Sequence, residues 1–321
     1  MRVPIKASVP VAPFSTIRQS RPPPTYQQSM GAAVMEQRRG GKPKVVFVLG
    51  ATSTGKSKLA IALAAHFGGE VINSDKIQVY AGLPVITNKV TDEECAGVPH
   101  HLLGCVPCPD VDFTVDDFCR EAADAIKRVL SNGGLPVVAG GSNRYVEALV
   151  EGDGGAFRSS HDCLFVWLDA APEVLRRSTA VRVDDMVRRG LVEEARAAFD
   201  PEASYTRGVR RAIGLPEMDA YLRRASDGDD DGAAAMLGRA VEEIKVNTFG
   251  LVLEQVEKIR RLSTLEGWDV RRVDCTEVLA RTADGEGVQE LWRKVVWEPV
   301  EDMVRTFVIA EKSGGKINLL P

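Results

Sequence analysis

The chain has 321 residues, of which 44% are hydrophobic and 27% charged, and its formal net charge is -4. This composition is typical of a globular protein with enough chain for one large domain or two small ones. The mildly acidic balance argues against a protein that coats a polyanion, and no apolar run approaches the roughly 20 residues that span a bilayer. We therefore expect neither a nucleic acid nor a membrane as partner, and we expect a monomer.

Residues 1–40 differ in composition from the rest of the chain. They contain four basic residues up to Arg21, no acidic residue before Glu36, and many Ser, Pro, Thr and Gln residues. This pattern is typical of a transit peptide, and an ordinary disordered tail is the alternative. We favour organelle targeting and expect the plastid, with the cytoplasm as second choice.

A phosphate-binding loop is predicted directly after the first strand. The apolar run from Val45 to Leu49 has the length and β-branched content of a strand, and residues 58–67 have apolar positions at helical spacing. Between them, the sequence fits the pattern G-x-x-x-x-G-K-[ST] at every fixed position. The predicted loop consists of Gly50, Ala51, Thr52, Ser53, Thr54, Gly55, Lys56 and Ser57.

The residue types of this loop suit an anion. Gly50 and Gly55 let the backbone turn so that successive N–H groups point at an anion on the N-terminus of the helix. Lys56 adds a positive charge, and Ser57 adds a hydroxyl for Mg²⁺. A phosphate loop alone does not identify the reaction.

A carboxylate follows the second predicted strand. Residues 70–74 (EVINS) read as a strand that ends at Asp75, and strand ends in open α/β sheets face the ligand crevice. Asp75 is therefore a candidate carboxylate of the site. The alternative is a helix or turn cap, which the residue type alone favours.

Residues 81–113 are rich in glycine and proline and are predicted to be a loop on the active-site side. They contain a cluster of possible metal ligands consisting of Cys95, His100, His101, Cys105 and Cys108. The last two cysteines have zinc-site spacing, but the sequence has no second cysteine pair at zinc-ribbon spacing, so zinc is disfavoured. The 6 cysteines of the chain indicate free thiols in a reducing compartment.

Three further strands and a helical block complete the predicted fold. Leu135 to Ala139, Leu164 to Leu168 and Asp269 to Asp274 read as strands, and the first leads into a second glycine-rich turn at 140–142. The pattern from about 172 to 262 is helical. We predict an α/β fold like that of P-loop NTPases: a parallel sheet of about five strands flanked by helices, with an inserted helical lobe that can shut water out of a reaction.

Cations in this lobe lack a local partner in the sequence. Arg207, Arg210 and Arg211 lie close together with no acidic residue until Glu217, and either a solvated basic face or a phosphate site accounts for them. Lys245 lies at the margin of an apolar helix stripe. Its side chain either extends to solvent or reaches a bound phosphate.

Seven segments between Lys44 and Val300 carry a family resemblance. They are GATSTGKS (50–57), INSDKIQVYAGLPVITNKV (72–90), GVPHHLLG (97–104), VVAGGSNRYVEALV (137–150), RVDDMVRRGLVEE (182–194), YTRGVRRAIGLPEMDAYL (205–222) and IKVNTFGLVLEQVEKIRRL (244–262). With these segments in this order, the chain resembles the isopentenyltransferases, which put a dimethylallyl group on the N6 amine of adenine. It is more similar to the plant adenylate isopentenyltransferases, or cytokinin synthases, than to the transfer-RNA-modifying branch.

The resemblance implies a catalytic domain over residues 41–321 that transfers the dimethylallyl group from dimethylallyl diphosphate to ADP or ATP, and less well to AMP, releasing diphosphate. That reaction is the first step of cytokinin biosynthesis. Asp75 becomes the general base, Lys56 and the loop hold the donor diphosphate, and Ser57 holds Mg²⁺. The residues implied for the acceptor nucleotide are Asn73, Lys89, Ser142, Arg182, Arg210, Arg211 and Lys245.

The family also informs the remaining segments. It makes the two histidines at 100 and 101 part of a loop without zinc. Val181 and Glu254 depart from the pattern, since Glu and Arg are expected there. ADP and ATP carry one or two anionic groups more than AMP, and Arg210, Arg211 and Lys245 supply positive charge for them.

Two other classes of protein use the same loop. A small-molecule kinase places it on the phosphates of ATP, with Asp75 accepting a hydroxyl proton, and a nucleotide-binding switch needs no base. A transfer-RNA dimethylallyltransferase is the alternative within the family. The acidic net charge and the lack of a cysteine- and histidine-rich C-terminal extension disfavour it.

Overall fold

The computed structural model describes residues 41–226, 232–281 and 287–309, and the transit-peptide prediction for 1–40 lies outside these ranges. A parallel sheet of six strands forms the centre of the molecule. The strands are Lys44–Gly50 (β1), Glu70–Asn73 (β2), His100–His101 (β3), Pro136–Ala139 (β4), Asp162–Asp169 (β5) and Val270–Asp274 (β6). Their order across the sheet is β3-β2-β4-β1-β5-β6.

Helices cover the sheet and build the lobe. They are Lys56–Phe67 (α1), Asp92–Cys95 (α2), Val115–Ser131 (α3), Asn143–Ser160 (α4), Pro172–Arg188 (α5), Leu191–Ala198 (α6), Asp219–Ser226 (α7), Ala233–Leu262 (α8), Thr276–Arg281 (α9), Val288–Trp292 (α10) and Glu298–Ile309 (α11). Helix α4 departs from helical geometry at 152–155. In the described ranges no helix has both the length and the apolar character needed to cross a membrane.

The central strand β1 explains where the site lies. All seven of its residues are buried, as expected for a strand of a parallel sheet covered on both faces. It pairs with β4 on one side and β5 on the other. The loops that follow β1 and β4 therefore meet at the carboxyl edge of the sheet, where ligands of open α/β folds bind.

The buried hydrophobic residues of the described ranges form two cores. One lies around the sheet, and the other holds the lobe, to which Val79, Tyr80 and Ile86 contribute from the segment after β2. Helix α8 belongs to both: Ile244 is buried in the lobe core, whereas Val252, Val256, Ile259 and Leu262 are buried in the sheet core. The lobe and the sheet thus share one continuous helix of 30 residues.

The predicted fold class is confirmed, with one strand added at the edge. Strand β3 consists of His100 and His101 alone, and it pairs in parallel with Val71 and Ile72 of β2. Two residues carry no alternation pattern, which is why this strand lies inside the stretch predicted as a loop.

Candidate active site

The phosphate loop joins β1 to α1 and depends on its two glycines. Gly50 has a φ of +152°, and a Cβ atom there would lie 2.7 Å from the carbonyl oxygen of Leu168 and 2.7 Å from Thr54 Oγ1. Gly55 is the N-cap of α1, with a left-handed φ of 88°. A side chain at Gly50 would collide with β5, and one at Gly55 would strain the turn.

The backbone of the loop offers free donors to an anion. Among the described residues, none accepts a hydrogen bond from the N–H of Gly55, Lys56 or Ser57. The Lys56 ammonium donates to the carbonyl oxygen of Ala51 at 2.7 Å and so lies across the loop. Free N–H groups at a helix N-terminus together with a lysine form an anion-binding site.

Two half-buried cations concentrate positive charge beside this loop. Burial, and then the neighbouring Arg182, lower the pKa of Lys56 to about 8, while Asp75 and Cys275 act in the opposite direction. Burial likewise lowers the pKa of Arg182, against the influence of Asp75. Arg182 forms no hydrogen bond or ion pair with any residue of the described ranges, so its charge is available to a ligand.

The carboxylate of Asp75 serves two purposes at once. Its Oδ1 accepts hydrogen bonds from the N–H of Ile77 at 2.9 Å and of Gln78 at 3.3 Å, which caps the turn after β2. Its Oδ2 receives no hydrogen bond from the residues that the structure describes. The capping interpretation of Asp75 is therefore correct for one oxygen, and the other oxygen is free to take a proton.

The second glycine-rich turn packs against Asp75. A Cβ atom at Gly140 would lie 2.3 Å from the carbonyl carbon of Ser74, and one at Gly141 would lie 3.0 Å from Asp75 Oδ2. The Ser142 hydroxyl oxygen accepts a hydrogen bond from the N–H of Lys76 at 2.9 Å. Glycine in this turn thus allows the loops after β2 and β4 to approach closely.

The residues predicted for the acceptor fall into two groups, and the first surrounds Asp75. Asn73 is buried and donates to the carbonyl oxygens of Asp75 and Leu102 at 3.2 and 2.9 Å, which fixes the backbone around Asp75. Burial lowers the pKa of Lys89 to about 8, with Glu194 and Asp75 opposing this effect. Together with Ser142 and Arg182, these side chains lie around one carboxylate.

The second group is already paired with acidic residues. Arg210 pairs with Asp110 and Asp200, Arg211 pairs with Asp112 at 3.2 Å, and Lys245 pairs with Asp184 and Glu242 at 2.8 and 2.9 Å. After the two arginines the sequence shows no acidic residue until Glu217, whereas the fold supplies Asp110 and Asp112 from a distant loop. Arg211 keeps one donor free, since its buried Nε has no acceptor within the described part of the chain.

Sequence reasoning missed two side chains that hold the site together. Glu194 accepts hydrogen bonds from the N–H of Val85 at 3.1 Å and of Ile86 at 2.6 Å, which fixes the loop that carries Lys89. Gln255 contacts the phosphate loop from α8. Gln255 is a polar residue on the otherwise apolar, buried stripe of a helix. Because buried polar groups need hydrogen-bond partners, this position in the sequence could have indicated a contact with the site.

The lowered pKa of Lys56 predicts a pH dependence of anion binding. We expect the affinity for inorganic diphosphate to weaken as the pH rises through about 8, because Lys56 then loses its charge. Calorimetric titration with inorganic diphosphate between pH 6.5 and 9.5 measures this. The inflection should persist in Lys89→Met and vanish in Lys56→Ala, and the reverse result would assign it to Lys89.

The sheet and its loops have the architecture of a P-loop-like α/β protein, in which a free carboxylate oxygen and two half-buried cations adjoin the loop after β1. Residues 78–160 and 154–261 match the sequence model of the IPP transferase family. The chain belongs to this family. The predicted isopentenyltransferase is thus confirmed at the level of the family.

Relatives support this assignment over most of the chain. The protein is 48% identical to adenylate isopentenyltransferase 5, chloroplastic, of Arabidopsis thaliana, over 83% of this chain and 81% of that protein. It is 44% identical to adenylate isopentenyltransferase 7, mitochondrial, of the same plant, over 92% of this chain and 89% of that protein. The crystal structure of the tRNA isopentenylpyrophosphate transferase of Bacillus halodurans is similar with a TM-score of 0.62 and 25% identity, covering 83% of this chain and 100% of that one.

Proposed function

We propose that the protein is an adenylate isopentenyltransferase, which transfers a dimethylallyl group from dimethylallyl diphosphate to the N6 amine of an adenine nucleotide and releases diphosphate. The observation that carries this proposal is the free Oδ2 of Asp75 beside a phosphate loop with two half-buried cations, Lys56 and Arg182. The names of the plant relatives support the same activity. We propose that this reaction is the first step of cytokinin biosynthesis.

The chemistry requires a base on one side and an anion site on the other. The N6 lone pair of adenine is delocalised into the ring, so N6 attacks the allylic carbon only as its proton passes to Asp75 Oδ2. A base of this kind contributes roughly 10² to 10⁴ in rate. As the carbon–oxygen bond breaks, negative charge grows on the diphosphate, where Lys56, Arg182 and the loop N–H groups stabilise it.

We propose that Mg²⁺ binds here together with the diphosphate of the donor. Ser57 exposes its hydroxyl at the first turn of α1, and Mg²⁺ is commonly held by one or two protein oxygens together with phosphate oxygens and water. Asp169, the buried carboxylate that ends β5, is already bonded to Arg272 Nε at 2.8 Å, and the described residues contain no group of three or more His, Cys, Asp or Glu side chains that could hold a metal. Bound Mg²⁺ would neutralise charge on the leaving diphosphate.

Analysis of the reaction product distinguishes this function from that of a kinase or a tRNA-modifying enzyme. The enzyme is incubated with dimethylallyl diphosphate and AMP, ADP or ATP, and the nucleotide is examined by mass spectrometry for the added prenyl group. A parallel reaction uses tRNA, because the similar Bacillus protein is named for tRNA. Transfer of labelled γ-phosphate without prenylation would instead identify a kinase, and prenylation of the tRNA alone would identify a tRNA-modifying enzyme.

The acceptor preference gives a further prediction. ADP and ATP should be used better than AMP, because their outer phosphates reach the partly exposed guanidinium of Arg211. Arg211→Ala should lower kcat/KM for ADP and ATP about ten-fold and leave AMP nearly unchanged, since a charge-assisted contact is worth about that much. Lys245→Ala should act in the same direction but less, because Asp184 and Glu242 already hold its ammonium.

The matched control for this comparison is Arg207→Ala, which removes an exposed arginine of the same segment. All assays use one salt concentration, because salt screens such contacts. A wild-type preference for AMP, or an equal loss of all three acceptors in Arg211→Ala, would contradict the prediction.

The location and partners follow from composition and from the relatives. We infer that residues 1–40 direct the protein to the plastid, since they are basic at the start and rich in Ser and Pro, and the relative with 48% identity is named chloroplastic, although the one with 44% identity is named mitochondrial. A fluorescent protein fused behind these residues tests the destination.

We also propose that the protein acts as a monomer on small molecules, without a nucleic acid. Light scattering measures the oligomeric state, and a tRNA binding assay tests the nucleic acid.

A further inference from the structure

Gln255 occupies an unusual place on α8. It is only 4% exposed, and it lies on the half of the helix that packs into the sheet core. Both ends of its amide are used: Oε1 accepts a hydrogen bond from the N–H of Thr52 at 2.8 Å, and Nε2 donates to the carbonyl oxygen of Gly141 at 3.0 Å. One side chain thus joins the phosphate loop to the turn after β4.

The base lies against the same junction. A Cβ atom placed on Gly141 would lie 2.6 Å from Gln255 Nε2 and 3.0 Å from Asp75 Oδ2. The backbone takes part as well, since Asn143 Nδ2 donates to the carbonyl oxygen of Gln255 at 3.2 Å. The amide of Gln255, the turn at Gly141 and the free oxygen of Asp75 are therefore packed together.

We propose that Gln255 is a positioning residue, which sets the phosphate loop at a fixed place relative to Asp75 and ties both to α8. The inference rests on the proposed transfer reaction. Because reacting groups must be held at close and defined separation, a small displacement of the loop relative to the base costs rate. The two hydrogen bonds of the Gln255 side chain act on the phosphate loop and on the turn at Gly141 at once.

Helix α8 also connects Gln255 to the lobe. Helix α8 is buried in the lobe core at Ile244, and the next residue, Lys245, pairs with Asp184 of α5 at 2.8 Å. Helix α5 carries Arg182, whose charge acts on Lys56. The position of the lobe is therefore linked to the phosphate loop through two helices, and Gln255 is the contact at the end of one of them.

The first test replaces the amide without changing the length of the side chain. Gln255→Met loses both hydrogen bonds, and it should weaken the binding of inorganic diphosphate and lower kcat/KM for dimethylallyl diphosphate, each by about ten-fold, as the loss of two such bonds predicts. Thr248→Val is the control, because Thr248 is buried on the same helix and its hydroxyl bonds only to the carbonyl oxygen of Ile244. Thermal unfolding of both variants measures the effect on stability alone.

The second test uses pH. Gln255→Glu keeps an acceptor for the N–H of Thr52 but gains a donor for Gly141 only when its carboxyl is protonated. The ratio of its kcat/KM to that of the wild type should therefore rise as the pH falls from 8 to 5.5, which a merely structural role would not produce. Wild-type kinetics in Gln255→Met, losses equal to those of Thr248→Val, or a ratio independent of pH would each overturn the proposal. Diphosphate binding keeps the two claims separate: if the wild type transfers no prenyl group, the proposed function fails, while a ten-fold weaker diphosphate affinity in Gln255→Met still supports the positioning role.

Discussion

Replacing Asp75 with asparagine should lower kcat by about 10²-fold or more while the protein remains folded. The asparagine oxygen can still accept the hydrogen bonds that Ile77 and Gln78 donate to Oδ1. Its amide nitrogen cannot take a proton, however, so N6 of adenine would have to attack while still carrying it. The substitution thus separates the capping role of Asp75 from its proposed role as base.

Turnover with saturating dimethylallyl diphosphate and ADP measures this effect, and circular dichroism checks the fold. Asp117→Asn is the matched control, because Asp117 also caps a turn of backbone, at the start of α3, but lies outside the site. The control should change stability only. Near-normal turnover in Asp75→Asn would remove this residue from the mechanism.

Replacing Lys56 with alanine should raise KM for dimethylallyl diphosphate or lower kcat sharply, by roughly ten-fold to a hundred-fold, with little change in nucleotide Kd. The expected cause is the loss of the ammonium that lies across the phosphate loop and that we propose to stabilise the departing diphosphate. Steady-state kinetics with a varied donor, together with nucleotide binding by calorimetry, measure the two effects separately.

Lys58→Ala controls for the loss of a lysine in the same helix turn. Its ammonium lies 4.1 Å from the ring centroid of Trp292, away from the loop, and its removal should leave donor KM unchanged. Should Lys56→Ala abolish nucleotide binding and leave donor binding intact, the loop would hold the outer phosphates of the nucleotide, as it does in kinases.

The sheet could be predicted from the sequence because its signals are local. Strand β1 is apolar from Val45 to Leu49, and the backbone geometry requires glycine at both ends of the phosphate loop, Gly50 and Gly55. Strand β3, with two residues, has no such pattern. It forms because β2 offers an unpaired edge, which is a property of the assembled sheet.

The site was harder to predict because its partners are far apart in the chain. Arg210 forms an ion pair with Asp110, and Arg211 with Asp112, only when the lobe packs against the loop that precedes α3. The sequence also presented Asp75 as either a cap or a base. A carboxylate has two oxygens, and only the structure reveals that one is occupied and the other free.

The continuity of α8 restricts how this protein can change in length. A helix rises about 1.5 Å and turns about 100° with each residue, so one residue inserted between Ile244 and Gln255 would rotate one end of the helix away from its core. Either the lobe would lose Ile244, or the phosphate loop would lose Gln255. Surface loops tolerate insertions and deletions far better. The number of residues between Ile244 and Gln255 therefore fixes the relative orientation of the two side chains on the helix. This stretch should tolerate substitutions but not the insertion or deletion of a single residue.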